Sequence, residues 1–330
     1  MEIVERARQL ADDLLFPTAL DTDRLLAPPP SHLDAFAEAG LYGLASPASV
    51  GGLGADSTTT QAVIEALASG CLSTTFIWLQ HLNPARAIAA LGLPVAIDLA
   101  NATLRSGSAF AHLRRPGPPM LRARRIGAQW RLDGDAPWVS GWGCINVMHV
   151  AAINADIPDT IAWTLLDARE TETLGTSRLA LAAMNATSTV ELHARGHLVD
   201  GDRVTVIEPL ATWLDRDAMG LRTNGSLALG LTSRCVTLLD PRGSLPDRLI
   251  EARTELDAAA DPDAMASARA NACLLAVDAA TALVVRGGGS ALKTDAHAQR
   301  LAREAMFLLV QGQTAAIRAQ QLKRLTERRR

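Results

Sequence analysis

Residues 129–141, Gln129-Trp-Arg-Leu-Asp-Gly-Asp-Ala-Pro-Trp-Val-Ser-Gly, decide how the chain is read. The short pieces Gln129–Leu132 and Trp138–Ser140 are rich in aromatic and β-branched residues, which suit a pleated, half-buried surface. Asp133-Gly134 between them reads as a turn. Working outward, Val147–Ile153, Thr160–Leu166 and Ser188–Leu192 have the same character, and Asp200-Gly201 punctuates them. No long helical pattern intervenes, so an antiparallel sheet or barrel is expected over residues 105–210 rather than a parallel sheet.

Either side of this block the spacing turns helical. Before it, over residues 1–104, helices are expected at Val4–Leu15, at Ser31–Ala39 with Ser31 as N-cap and Gly40 as stop, from Ser57 onward, and over Thr74–Leu91 with a break or start at Pro84. After it, over residues 211–330, they are expected at Ser226–Leu239, Pro246–Ala260 and Ala264–Val285, followed by one long helix over Ala296–Leu325. Gly287-Gly-Gly-Ser is the break in that second half. The fold class is therefore α+β in three blocks: a helical domain, a β domain and a helical bundle.

Composition fits a globular protein: 48% of the residues are hydrophobic and 20% charged. A net charge of -3 points to neither nucleic acid nor an anionic membrane as partner. The basic run Lys323–Arg330 reads as a solvated helix end. The four cysteines are far apart and the seven histidines scattered, so neither a zinc site nor a disulfide scaffold is expected, and a reduced, cytoplasmic protein fits. The first residues are amphipathic and charged, unlike a signal peptide. No apolar run reaches the roughly 18–20 residues of a membrane span.

Four stretches, in order, carry a resemblance to the acyl-CoA dehydrogenase family. Ala39-Gly-Leu-Tyr-Gly-Leu-Ala-Ser-Pro-Ala-Ser-Val-Gly-Gly-Leu-Gly-Ala is similar to its Gly-Leu-x-Gly-Leu, Pro, Gly-Gly-x-Gly segment. Leu132-Asp-Gly-Asp-Ala-Pro-Trp-Val-Ser-Gly resembles its Leu-x-Gly-x-Lys-x-Trp-Ile-Thr-Asn, and Met184-Asn-Ala-Thr-Ser-Thr-Val-Glu-Leu its returning strand. Gly287-Gly-Gly-Ser and Arg303-Glu-Ala resemble the Gly-Gly-x-Gly and Arg-Asp-Ala of its last helices.

The resemblance implies an FAD-dependent oxidoreductase acting on an acyl-CoA thioester. It places Trp138 and Ser140 beside the flavin, and Gly287, Gly288 and Gly289 at the FAD of a neighbouring subunit, where bare backbone can approach a phosphate. The family's hydroxyl-rich Thr-Glu-Pro loop is replaced by a shorter Leu113-Arg114-Arg115-Pro-Gly-Pro-Pro, whose cations could meet phosphates. No Arg-x-x-Phe-Gly segment is present.

The family's chemistry needs a carboxylate to take the proton next to the thioester carbonyl. The corresponding place here holds Gln311 or Gly312, and neither accepts a proton. The alternative place, on the first helix after the sheet around Leu221-Arg-Thr-Asn, has no acid either. Asp215 and Asp217 read as solvated loop carboxylates, and Glu304 as a partner of an arginine such as Arg300.

Three functions follow: a dehydrogenase with an unconventional base, a silent subunit completing an active homologue, or a flavin monooxygenase needing no such base. A dimer or tetramer is expected. Gln311→Glu is expected to create or increase acyl-CoA dehydrogenation.

Overall fold

A computed structural model describes residues 2–114, 117, 120–239 and 243–327. Arg115 and the end of the basic run, residues 328–330, lie outside the described residues. The first block comprises helices α1 (Glu2–Gln9), α2 (Phe16–Arg24), α3 (Pro30–Glu38), α4 (Ser57–Gly70), α5 (Leu72–Ala90) and α6 (Ala96–Ala100). Leu10–Leu15 joins α1 to α2 as a π-helical turn. Ser31 is not a cap, because α3 opens one residue earlier on Pro30, where a missing N–H costs nothing. The side-chain cap in this block is Asp56, which accepts from the Thr59 N–H at 2.7 Å and opens α4.

The middle block holds strands β1 (Ser106–Ala109), β2 (Arg122–Ile126), β3 (Gln129–Val139), β4 (Val147–Asn154), β5 (Thr160–Asp167), β6 (Leu174–Arg178), β7 (Val190–Asp200) and β8 (Val204–Pro209). They form one sheet in the order β6-β7-β3-β2-β4-β5-β8, with β1 added against β4. The sheet is mixed and not purely antiparallel, since β4 runs parallel to both β1 and β2. Asp133-Gly134 is no turn: β3 passes straight through it as a single strand with a bulge. Gly134 has φ +114, and a Cβ there would sit 2.3 Å from the Met120 carbonyl oxygen, so only glycine lets the incoming chain cross β3.

The last block contains α7 (Leu210–Leu238), α8 (Leu245–Ala258), α9 (Pro262–Gly287), α10 (His297–Val310) and α11 (Ala315–Thr326). The expected single final helix is two, because Gly312 adopts φ +60 and Thr314 caps a new start by accepting from the Ile317 N–H. Residues of α4, α5, α7, α9 and α10 share one apolar core. The segment Pro262–Leu292 is long and apolar enough to cross a membrane by length and composition, contrary to the expectation from sequence. As much as 56% of its apolar window is buried inside the bundle, the pattern of a core helix.

Pro84 does not break α5, and what it does instead positions the sheet. Proline has no N–H, so the carbonyl four residues earlier, Gln80, loses its helical donor. The Ser108 hydroxyl of β1 donates to that carbonyl at 3.0 Å. The neighbouring His81 makes a second tie. Its Nδ1 accepts from the Ser106 N–H at 2.9 Å, which leaves the proton on Nε2, and Nε2 donates to the Leu99 carbonyl at 3.1 Å. Consecutive residues of α5 thus hold two positions of β1.

Two outcomes test these ties. Removing the Ser108 hydroxyl (Ser108→Ala) should cost about 1 kcal/mol in urea unfolding, and markedly less in a Pro84→Ala background, where residue 84 regains an N–H for Gln80. Equal costs in both backgrounds would contradict the tie. Burial pushes the His81 imidazole down to about 4 from 6.5. The unfolded chain therefore takes up this proton first, and stability present above pH 6.5 is lost as pH falls towards 4, by about 3 kcal/mol for this one group. His81→Gln should flatten that part of the stability-against-pH curve.

Candidate functional site

The break between α10 and α11 puts a turn, Gln311-Gly312, at the face of the bundle nearest the sheet. Behind it stands Arg269 of α9, which is 1% exposed. Arg269 Nη2 donates to Gln311 Oε1 at 3.0 Å and reaches the Gln311 carbonyl at 3.4 Å, while Nη1 contacts Cys273 Sγ. The Cys273 thiol donates onward to the Leu308 carbonyl at 3.0 Å, and burial pushes that thiol up. The Gln311 side chain is thus turned into the bundle towards a buried cation, away from the front of the turn.

In front of the turn lie two other elements. A Cβ placed on Gly312 would come within 2.8 Å of Asn224 Nδ2, 3.4 Å of Leu221 Cδ2 and 3.6 Å of Arg114 Nη1. Asn224 and Leu221 belong to α7, and Arg114 ends the 3-10 turn Ala111–Arg114 that follows β1. The two places where sequence looked for a base therefore face each other, and both lack an acid.

Arg114 carries a carboxylate partner, Asp217, one helical turn before Leu221. Asp217 is neither in a loop nor solvated: both its oxygens are held at 2.7 Å by Arg114 Nε and Nη2, with both side chains mostly buried. Asp215, by contrast, is exposed on α7. Glu304 behaves as expected from sequence, taking Arg300 Nη1 at 2.7 Å inside the core. Burial pushes its carboxyl up despite that partner, and its Oε2 has no hydrogen-bond partner.

The Arg114 guanidinium lies 5.1 Å from the Phe110 ring centre. Phe110 in turn meets Trp213 of α7 edge-on at 5.6 Å and Trp163 of β5 at 6.0 Å. Leu113 is buried with Trp163 and Trp213 rather than offered to a ligand. His149 of β4 packs on Trp163 at 4.6 Å and shares a hydrogen bond of 2.8 Å with Thr205; burial pushes its imidazole down to about 4.

Trp138 is the backbone outlier of β3. It has φ +63, in a register shift between Ala136 and Val139, and its side chain is 49% exposed. A bulky residue in the left-handed region costs on the order of 1–3 kcal/mol, and a bulge re-aims a side chain. Here it turns an indole face outward. Ser140, two residues on, is buried, and its hydroxyl meets Thr189 at 2.8 Å.

The structure thus brings Arg114, Gln311 and Gly312 to one seam, with Leu113 turned into the aromatic cluster beside it, and leaves Trp138 exposed and Ser140 buried at the end of β3. Gly287, Gly288 and Gly289 do not join them. Gly287 ends α9 and Gly288 and Gly289 open the 3-10 turn after it, and the helical rise from Arg269 to Gly287 puts them about 27 Å from the Gln311 side. Gly288 has φ +55, and a Cβ on Gly288 or Gly289 would meet nothing within 4 Å. Sequence reading missed Asp217's partner, Asn224's position and Arg269 altogether; a lone arginine amid the apolar face of α9 was the available signal. Two hollows, of about 380 and 310 Å³, lie between α7, α8 and the end of α9, where Arg286 adjoins Gly287, and on the sheet around Trp130 and Val206; neither is lined by Arg114, Trp138, Ser140, Gln311 or Gly312.

Comparison with known proteins adds to this geometry. Residues 1–94 match the family model "Acyl-CoA dehydrogenase, N-terminal domain". The structure superposes on butyryl-CoA dehydrogenase of Megasphaera elsdenii with a TM-score of 0.82, covering 100% of this chain and 97% of that one at 16% identity. The chain has the acyl-CoA dehydrogenase fold. A glutaryl-CoA dehydrogenase from Mycobacterium smegmatis in complex with FADH2 has the same fold, with a TM-score of 0.80 over 99% of this chain and 94% of that one at 18% identity.

Among curated proteins, 3-sulfinopropanoyl-CoA desulfinase of Variovorax paradoxus is 28% identical over 160 residues, 46% of this chain and 40% of its own length. The match spans about two fifths of that relative. The resemblance read from sequence stands, and so do the three blocks.

FAD, which the fold implies, can be tested against these residues. Its ring needs a flat apolar face, which Trp138 offers; a polar edge partner, which Ser140 can supply; and bare backbone near phosphate, which Gly288 and Gly289 leave open. Leu113 does not contribute, being turned into the aromatic cluster. The fit holds on three counts of four.

The position of Gln311 argues against the gain of activity expected for Gln311→Glu. A glutamate there would sit on the Arg269 guanidinium, which favours its ionised form and makes it a poor base. Gln311→Glu should instead raise stability to urea by about 1–3 kcal/mol through a charge-assisted bond. A variant no more stable than the parent would mean that Arg269 does not face residue 311.

Proposed function

We propose that this chain is an acyl-CoA dehydrogenase-like FAD-dependent oxidoreductase acting on an acyl-CoA thioester. The observation that carries the reading is Trp138, held at a costly backbone angle so that its indole faces outward where the fold's flavin ring would lie. FAD, when bound, supplies a ring that accepts a hydride. Trp138 would shield one face of that ring from water, and Ser140 would meet its edge. Gly288 and Gly289 would approach phosphate of a cofactor in a neighbouring copy, which makes the active form a dimer or larger. Arg114, fixed by Asp217, would present Nη1 beside Gly312, where a thioester carbonyl or another anionic group would gain a donor. Free, mostly buried cysteines support a reducing compartment such as the cytoplasm.

One observation favours a second reading. Gln311, Gly312 and the 221–224 segment hold no carboxylate, so an ordinary dehydrogenation lacks its proton acceptor there. Chemistry on an acyl-CoA that does not begin at that proton would fit, and the curated relatives are named for a reaction other than dehydrogenation, the desulfination of 3-sulfinopropanoyl-CoA. The comparisons favour neither a silent subunit nor a monooxygenase.

The visible absorption spectrum of the purified protein, with and without added FAD, tests the flavin reading. A flavin band is expected, and Trp138→Ala should weaken FAD binding about tenfold. Protein that stays colourless in excess FAD would overturn the proposal. With flavin bound, bleaching by simple acyl-CoAs supports dehydrogenation, whereas release of the sulfur group from 3-sulfinopropanoyl-CoA without bleaching supports the second reading.

A further inference from the structure

Behind Ser140 lies a row of buried oxygens. Ser140 Oγ is 2.8 Å from Thr189 Oγ1, Thr189 Oγ1 is 2.7 Å from Thr187 Oγ1, and Thr187 Oγ1 is 2.7 Å from the Met184 carbonyl oxygen. All three hydroxyl residues are at most 5% exposed. Two oxygens this close need a proton between them, and each hydroxyl has only one to give. The carbonyl has none, so Thr187 must donate to Met184. Thr187 then has no proton left for Thr189, and Thr189 must donate to it. By the same step Ser140 must donate to Thr189. The direction of every bond in the row is fixed from its far end.

We infer that the Ser140 hydroxyl meets any ligand as a hydrogen-bond acceptor only, its proton being committed inward through Thr189 and Thr187 to the Met184 carbonyl. Ser140 thereby selects a ligand atom that carries a proton, such as a ring N–H, over the same atom bearing a bare lone pair. Thr187 and Thr189 are positioning residues that touch no ligand.

The turn anchoring the row is built at a cost. Met184 and Ser188, neither of them glycine, have φ +65 and +49 on either side of the 3-10 turn Asn185–Thr187. Two such angles cost on the order of 1–3 kcal/mol each, and they persist only where surroundings over-determine them. Here the Gly141 N–H donates to the Thr187 carbonyl at 2.8 Å, the Trp142 N–H to the Ser188 carbonyl at 3.2 Å, and the Ser188 hydroxyl to the Trp142 carbonyl at 2.6 Å. The strained turn is stapled to the residues immediately after Ser140, so the carbonyl that sets the direction and the hydroxyl that expresses it move as one piece.

On the flavin reading, on which this application rests, the consequence is redox selectivity. The central ring nitrogen carries a proton in reduced FAD and a lone pair in oxidised FAD, so an obligate acceptor favours the reduced form. Thr189→Val, which keeps the β-branched shape, frees the Ser140 proton to turn outward. The ratio of affinities for reduced over oxidised FAD should fall about fivefold, which lowers a two-electron potential by about 20 mV. Thr187→Val, one step further from the ligand, should act in the same direction, and neither change should add to Ser140→Ala.

Neutron diffraction from the deuterated protein without cofactor reads the direction itself. A deuteron on Ser140 Oγ lying towards Thr189 is expected; one pointing away overturns the inference, as does an unchanged affinity ratio in both threonine variants with FAD bound. An inward deuteron in a protein that binds no FAD upholds the inference and removes the flavin reading instead.

Discussion

The left-handed turn at Gly312 is the constraint to which most of the bundle's geometry traces back. It needs glycine twice over, for a positive φ and because a Cβ would press on the Asn224 amide. Once the chain turns there, α11 folds back along α9 instead of extending α10 into solvent. The Arg269 guanidinium holds the turn from within, taking two oxygens of Gln311, and Asn224 and Leu221 close it from α7. Arg114 then reaches across from the sheet and is clamped by Asp217 of the same helix, so the sheet is fixed to the bundle at the point where the turn presents itself. Remove the turn and the two places a base could occupy no longer face each other.

That seam and the sheet edge at Trp138 use different physics. The seam is electrostatic: two guanidinium groups on either side of one turn, one buried behind neutral oxygens and sulfur, the other neutralised by a carboxylate. The edge is conformational. Three non-glycine residues in the left-handed region, Trp138, Met184 and Ser188, fall within one patch of backbone joined by hydrogen bonds between 141–142 and 187–188. Strain concentrated in this way costs stability with no gain in packing, and sites where function fixes a side chain are where such strain is retained.

Much of the architecture was legible because it is local. Block order, strand composition and most helices come from periodicity within a dozen residues, and the ordered motifs added the fold. What was not legible depends on partners distant in sequence. Parallel pairing of β4 with β1 and β2 has no signature within β4 itself. Asp133-Gly134 has turn composition, yet its glycine serves a chain crossing at Met120. Asp217 looked solvated because its arginine lies 103 residues away. Gln311 falls in a turn that the helical spacing of residues 296–325 did not announce, and the direction of its side chain depends on Arg269 of another helix. Trp138 was named from its motif, while the angle that exposes it comes from a bulge that no composition reveals.

Pro84 shows how a defect can serve as a fastener. An uninterrupted helix presents every mid-length carbonyl already engaged, so a neighbouring sheet finds only side chains to hold and nothing that distinguishes one turn from the next. One imino acid leaves a single carbonyl open at Gln80, and the Ser108 hydroxyl occupies it. The helix therefore has one axial register against the sheet. A slip by a turn, about 5.4 Å along the axis, would strand that carbonyl without a donor and detach His81 from Ser106 at the same time. In this chain the first helical block is indexed to the sheet by a missing proton rather than by an added contact.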